Sequence, residues 1–217
     1  MQKNNVDPDY DYENCILKNK LGILDKEKLK QAESDIVITR IAEVFSNIHF
    51  EPTSNYFKEL HKFLFKDVYD FAGNYRSIHI EKNERVLQGL SVDYTEPEKI
   101  DAEVEKVFEI IRTTDFRSLD SDEKVYYITD VLVSLWKAHP FREGNTRTCL
   151  VFLRTLLYSY GIDFSSSLFK HEGTYKYTRD ALVAASFSAE DLGVKPNFTY
   201  INRLINDIIE KNTKMNL

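Results

Sequence analysis

Nine consecutive residues, His139-Pro140-Phe141-Arg142-Glu143-Gly144-Asn145-Thr146-Arg147, concentrate the chemistry of this chain. His139 has the ordinary pKa that suits taking a proton near neutrality. Glu143 offers a hard oxygen for Mg²⁺, an ion usually held by one or two carboxylates plus the phosphates of a substrate. Arg147 brings a fixed positive charge for phosphate oxygens. Gly144 and Asn145 stand where a helix begins, because Cys149, Leu150, Leu153, Leu156 and Leu157 follow at helical spacing. A glycine turn that feeds a helix N-terminus directs several free N–H groups at one point, and Asn145 and Arg147 can add donors of their own. A base, a cation ligand and an anion cradle together suit transfer of a phosphate-containing group from a nucleotide. Taken alone, the nine residues also fit a joint between two helices with solvated charges.

The elements that must position this loop are helical. Val125, Ile128, Val131, Leu132, Leu135 and Trp136 form the apolar face of a helix over Asp122 to Ala138, which has to stop at Pro140. The next helix is predicted over Thr146 to Tyr160. Further helices are predicted from an Asp25 cap to Phe45, over Pro52 to Phe71 with Gly73 behind it, over Pro97 to Arg112, near Tyr175 to Ser186, and over Pro196 to Lys211. Ile78 and Ile80 alternate with His79 and Glu81 before Val86-Leu87, which predicts a short β-hairpin over about Ser77 to Leu87. The expected fold is mainly α, an irregular helical bundle with that hairpin as a flap. Residues 1–24 read as a polar lead, and 25–217 as a single domain with a C-terminal helical extension.

Composition narrows the partners. A formal charge of −6 argues against general nucleic-acid binding, which needs clustered Lys and Arg. Cys15 and Cys149 lie far apart without metal-ligand spacing, and His49, His61, His79 and His171 show no metal pattern either. The start lacks the apolar core of a secretory signal, and no stretch is apolar for the length of a membrane span. The expectation is a cytoplasmic chain with no membrane partner, one that a dedicated secretion system could still translocate. Its oligomeric state is not readable.

The loop string resembles the signature of the Fic/Doc family, written HPFx(D/E)GN(G/K)RxxR. Leu60 to Gly73, with Asp67-Val68-Tyr69-Asp70-Phe71-Ala72-Gly73 at its end, is similar to that family's second helix and the glycine that closes it, and Arg76 through Lys82 resembles its flap. Together these cover roughly residues 10–160. The resemblance implies an all-helical fold with a β-hairpin flap over the active site, and transfer of AMP from ATP to a Ser, Thr or Tyr hydroxyl of a target protein. His139 would deprotonate the hydroxyl, Glu143 would hold Mg²⁺, and Gly144, Asn145, Thr146 and Arg147 would bind the phosphates. Ile80, Lys82 and Val86 would dock an extended target segment by strand addition. A small antitoxin is among the partners the resemblance admits.

Two positions depart from the pattern. Thr146 replaces the second glycine, and its side chain is expected to crowd an approaching phosphate. Leu150 replaces the second arginine, which in the family holds the outer phosphate that orients ATP for AMP transfer. Arg154 is the candidate to compensate, seven residues past Arg147 on the same helix. These departures keep open Doc-like phosphorylation and a catalytically silent interaction module. Thr39-Arg40-Ile41-Ala42-Glu43-Val44 approaches the family's inhibitory (S/T)xxxE(G/N) pattern but ends in Val44, so Thr39 and Glu43 read as ordinary helix surface.

Overall fold

The computed structural model describes residues 6–163 and 172–215. Within them the protein is mainly α-helical, with seven α-helices and one two-stranded antiparallel sheet. The helices are α1 (Lys26–Ser46), α2 (Ser54–Phe65), α3 (Ile100–Thr113), α4 (Ser121–Ala138), α5 (Asn145–Ser159), α6 (Glu172–Ser186) and α7 (Thr199–Met215). His171, read from sequence as lacking a metal pattern, lies outside the described residues.

Local chemistry sets most boundaries. The Asp25 carboxylate accepts the Lys28 N–H at 2.8 Å and opens α1. Thr53 does the same for Tyr56 at the start of α2. Asp120 and Glu123 form a reciprocal capping box at α4, which satisfies two of the N–H groups a helix start leaves free. α2 stops at Phe65, six residues short of the predicted Phe71, because Lys20 takes the carbonyls beyond it. The Lys20 ammonium donates to Lys66 O at 2.9 Å and its N–H to Val68 O at 2.8 Å. The segment after α2 stays apolar all the same, and Val68, Tyr69 and Phe71 are buried.

α4 and α5 are buried around most of their circumference and form the centre of the core. Ile128, Leu135, Trp136, Cys149, Val151, Leu156 and Leu157 are all fully enclosed. α3, α6 and α7 pack on α4, and α2 packs on α5. The amphipathic α7 buries Ile201, Ile205, Ile208 and Ile209 in the same cluster. The lead is attached too. Strands β1 (Tyr10–Asp11) and β2 (Ile16–Leu17) pair antiparallel, with Ile16 in the core. Asp7 holds Arg142 of the signature loop at 2.6 Å.

The flap differs from the expected hairpin. Residues 77–92 reverse direction without a β-ladder, through a 3-10 turn at Arg85–Leu87 followed by Gln88 and Gly89 at positive φ. The Glu84 N–H donates to Leu90 O at 3.1 Å, while the Lys82 N–H goes to the Ser91 hydroxyl instead of a carbonyl. The Glu84 side chain is completely buried within this reversal. The Ile80 side chain is likewise buried in the core, whereas Val86 is exposed.

Candidate active site

The signature loop is held by a tight set of contacts around His139. Pro140 ends α4, and His139 adopts a left-handed conformation with φ 44° and ψ 54°. Such a conformation disfavours a side chain with a Cβ, and it aims the imidazole back over its own helix. Nδ1 lies 3.1 Å from Trp136 O. A carbonyl only accepts, so Nδ1 carries the proton and the Nε2 lone pair is left free. Nε2 is buried and has no hydrogen-bond partner among the described residues. Burial is the main cause that holds the His139 pKa well below 6.5, and the Lys82 ammonium adds to it. The ring is therefore neutral at physiological pH and able to accept a proton.

The α5 N-terminus faces the same small cavity, of about 50 Å³, lined by His139, Glu143, Gly144, Asn145, Thr146, Arg147, Lys82, Tyr175 and Arg179. Gly144, at φ 81°, starts the helix without a side-chain cap. A Cβ there would overlap the Phe65 ring at 2.3 Å, so only glycine fits. The Gly144 N–H bonds the Glu143 carboxylate at 2.9 Å, and the following amides of the first turn make no backbone bond.

Each loop side chain now has a place. Asn145 uses both ends of its amide on Phe141, accepting its N–H at 2.8 Å and donating to its carbonyl at 2.7 Å, so what it offers an anion is backbone. Thr146 lines the cavity, and its hydroxyl accepts from Trp136 Nε1 at 2.9 Å. Phe141 stacks on His61 with ring centres 3.7 Å apart. Arg147 pairs with Glu33 of α1, lies over the Phe65 ring at 4.9 Å and sits 3.8 Å from Glu143. The Glu33 carboxylate, itself buried, also accepts the Tyr69 hydroxyl.

Glu143 stays ionised although burial alone would raise its pKa. Lys82, 3.6 Å away, and Arg147 outweigh burial and lower it to about 2. An ionised carboxylate at the rim of an anion cradle fits a hard divalent cation whose remaining ligands come from phosphate and water. Lys82 occupies the cation position beside it here.

Several of these residues escaped the sequence reading. His61 is fully buried: its Nδ1 accepts the Gly73 N–H at 2.8 Å, so Nε2 donates to Glu143 O at 3.0 Å. It joins the end of α2 to the loop, and burial lowers its pKa to about 3. Glu33, Glu84, Tyr175 and Arg179 come from elements with no fixed spacing to the loop, so no motif could have named them. Arg154, the expected substitute for the second arginine, turns instead to Asp163 and lies over Phe45, and it does not line the cavity. Leu150 is completely buried.

Residues 51–157 match the family model described as the Fic/DOC family, a span that encloses α2 through the signature loop and most of α5. This chain carries a Fic/DOC family domain. It is 32% identical over 148 residues to the protein adenylyltransferase VbhT of Bartonella schoenbuchensis, a match covering 68% of this chain but only 30% of that relative. It is 28% identical over 154 residues to a probable protein adenylyltransferase, y4lH, of Sinorhizobium fredii, covering 70% of this chain and 76% of that one. Among solved Fic structures, the Bartonella tribocorum effector BepC with bound AMPPNP superposes with a TM-score of 0.74 at 21% identity, covering 92% of this chain and 95% of that one. An ADP-bound Fic domain from Bartonella quintana gives 0.71 at 20%, covering 92% and 93%. At such identities these structures establish the shared Fic fold.

Proposed function

We propose that this Fic domain transfers AMP from ATP to a Ser, Thr or Tyr hydroxyl of a target protein. One observation carries the reading: the free Nε2 lone pair of a neutral, buried His139 and the uncapped amides of α5 meet at the same cavity. The target hydroxyl gives its proton to Nε2 as its oxygen attacks the α-phosphorus, and pyrophosphate leaves. The Trp136 carbonyl keeps the imidazole in the required tautomer and stabilises the imidazolium that forms. Amides 145–147 and the Arg147 guanidinium meet the charge that develops on the phosphate oxygens. Mg²⁺ entering with the nucleotide would neutralise phosphate charge, with Glu143 as its protein ligand. Backbone of residues 77–83 makes no backbone–backbone bond among the described residues, and those of its groups not taken by the Ser91 and Arg76 side chains would pair with an extended target segment.

Leu150 favours one alternative, a Doc-like transfer of the γ-phosphoryl group, since α5 offers the cavity no second arginine beyond Arg147 to orient the outer phosphates. Incubation of the protein and a cell lysate with ATP labelled at the α or the γ position separates the two. Label from the α position alone, absent with His139→Ala, is the expected result; label from the γ position alone selects the alternative. No label beyond the His139→Ala control from either position leaves a silent interaction module.

A further inference from the structure

Arg179 of α6 is the cationic residue of the cavity that no loop motif foreshadows. It lines the same wall set as His139, Glu143 and Arg147, with its side chain one-third exposed. One terminal nitrogen, NH2, lies 2.9 Å from one oxygen of Glu84 and 2.7 Å from the other. Glu84 is fully buried in the flap, and its second polar partner is the Tyr94 hydroxyl at 3.2 Å. The Tyr94 ring in turn packs on the His139 imidazole, with centres 4.1 Å apart. A buried carboxylate that engages one nitrogen of a guanidinium fixes its plane and leaves Nε and the other terminal nitrogen to donate elsewhere.

The cations around the cavity come in matched pairs: Lys82 with Glu143, Arg147 with Glu33, Arg179 with Glu84. Arg179 differs from the other two in coming from α6, across from the helix that carries the amides. Tyr175, one turn earlier on α6, lines the same cavity. Helix α5 cannot supply a second guanidinium, since Leu150 is buried and Arg154 turns to Asp163.

We infer that Arg179 binds the outer phosphates of the nucleotide, and that Glu84 is the positioning residue that holds it there. The inference rests on the nucleotide reading of the cavity. It deepens that reading by supplying from α6 the charge missing from α5, and it ties phosphate binding to the flap. A neighbouring pair, Arg85 with Asp180 at 2.5 Å, fastens the flap to α6 without touching the cavity and provides the control.

The test is calorimetric titration of the whole chain with Mg²⁺ and ATP, ADP or AMP. Arg179→Ala is expected to weaken ATP and ADP by about tenfold or more while leaving AMP within about twofold, since AMP lacks the outer phosphates. Arg179→Ala combined with Glu84→Gln, which leaves no uncompensated buried charge, should give the same pattern in a chain whose thermal unfolding is close to that of the parent. Arg85→Ala should leave all three nucleotides within about twofold. ATP affinity that survives Arg179→Ala in either background overturns the inference alone, as does an equal loss with Arg85→Ala or an equal loss of AMP. Failure of the unaltered chain to bind any nucleotide removes the nucleotide reading and this inference with it.

Discussion

Thr146 shows how a residue that looks wrong in a motif is right in its surroundings. Its hydroxyl satisfies the indole N–H of Trp136, which is completely buried at the end of α4. Restoring the family glycine by Thr146→Gly should therefore lower stability by about 1–3 kcal/mol, the cost of an orphaned buried donor. Denaturant unfolding checks this, and a more stable variant would contradict the role given to the hydroxyl. His139 makes a second case. Because its pKa is held well below 6.5, the acid limb of the transfer rate should lie clearly below that value. A pH profile of the initial rate for α-label transfer reads it directly, and a limb at 6.5 would mean a solvated imidazole.

Elements converge on the loop from the flap and from α1, and each attachment is one buried polar group. From the flap, Arg76 donates to the carbonyls of His139 and Ile78 at 2.8 and 2.7 Å, and to Thr95 O, so its guanidinium caps the negative end of α4. Burial lowers its pKa to about 10, still far above neutrality. Arg76→Ala should cost about 3 kcal/mol or more by leaving buried carbonyls unpaired, and Arg76→Lys should recover little of it because a point charge cannot fork. Chemical denaturation of the two variants decides. From α1, the carboxylate that reaches the loop is Glu33, whereas Glu43 pairs with Arg40 on the helix surface at 2.8 Å. Glu43→Gly is accordingly expected to leave transfer activity within about twofold, as for other exposed pairs. Glu33→Ala should destabilise by about 3–5 kcal/mol, because it strands the Arg147 charge. A large gain of activity with Glu43→Gly would reverse that assignment.

At the scale of the whole molecule, two enclosed neutral imidazoles make the fold sensitive to acid. His61, at about 3, and His139 both titrate below their ordinary 6.5 when folded, so the unfolded chain binds more protons as pH falls. Stability is complete above pH 6.5 and declines as pH drops toward the folded values, by about 2 kcal/mol for His61 at pH 5, with His139 adding in the same direction. Glu143 adds to the loss only below 4.5, down to its folded value of about 2. Unfolding midpoints measured from pH 7 to pH 5 should fall accordingly, and His61→Asn should flatten part of the slope. A flat profile would show that water reaches both rings.

How much was legible follows from the range of each interaction. Helix periodicity and caps are local, so α1, α3, α4, α5 and α7 stand within a few residues of where Asp25, Pro97, Asp122, Pro140 and Pro196 suggested. The loop residues His139 to Arg147 adjoin one another in sequence, and their types alone announced a base, an anion cradle and a carboxylate. The form of the flap was not legible, because Ile78 and Ile80 alternate like a strand while Glu84 is buried against Arg179 and Tyr94, partners outside the hairpin. The sequence by itself determined the helical class and placed side by side the nine residues that carry the proposed chemistry, since backbone geometry and side-chain type act over one or two turns. Only the tertiary structure decided which carboxylate meets Arg147, why Thr146 is accommodated, and that Arg179 enters the cavity. Those pairings join residues far apart along the chain, and burial sets their strength.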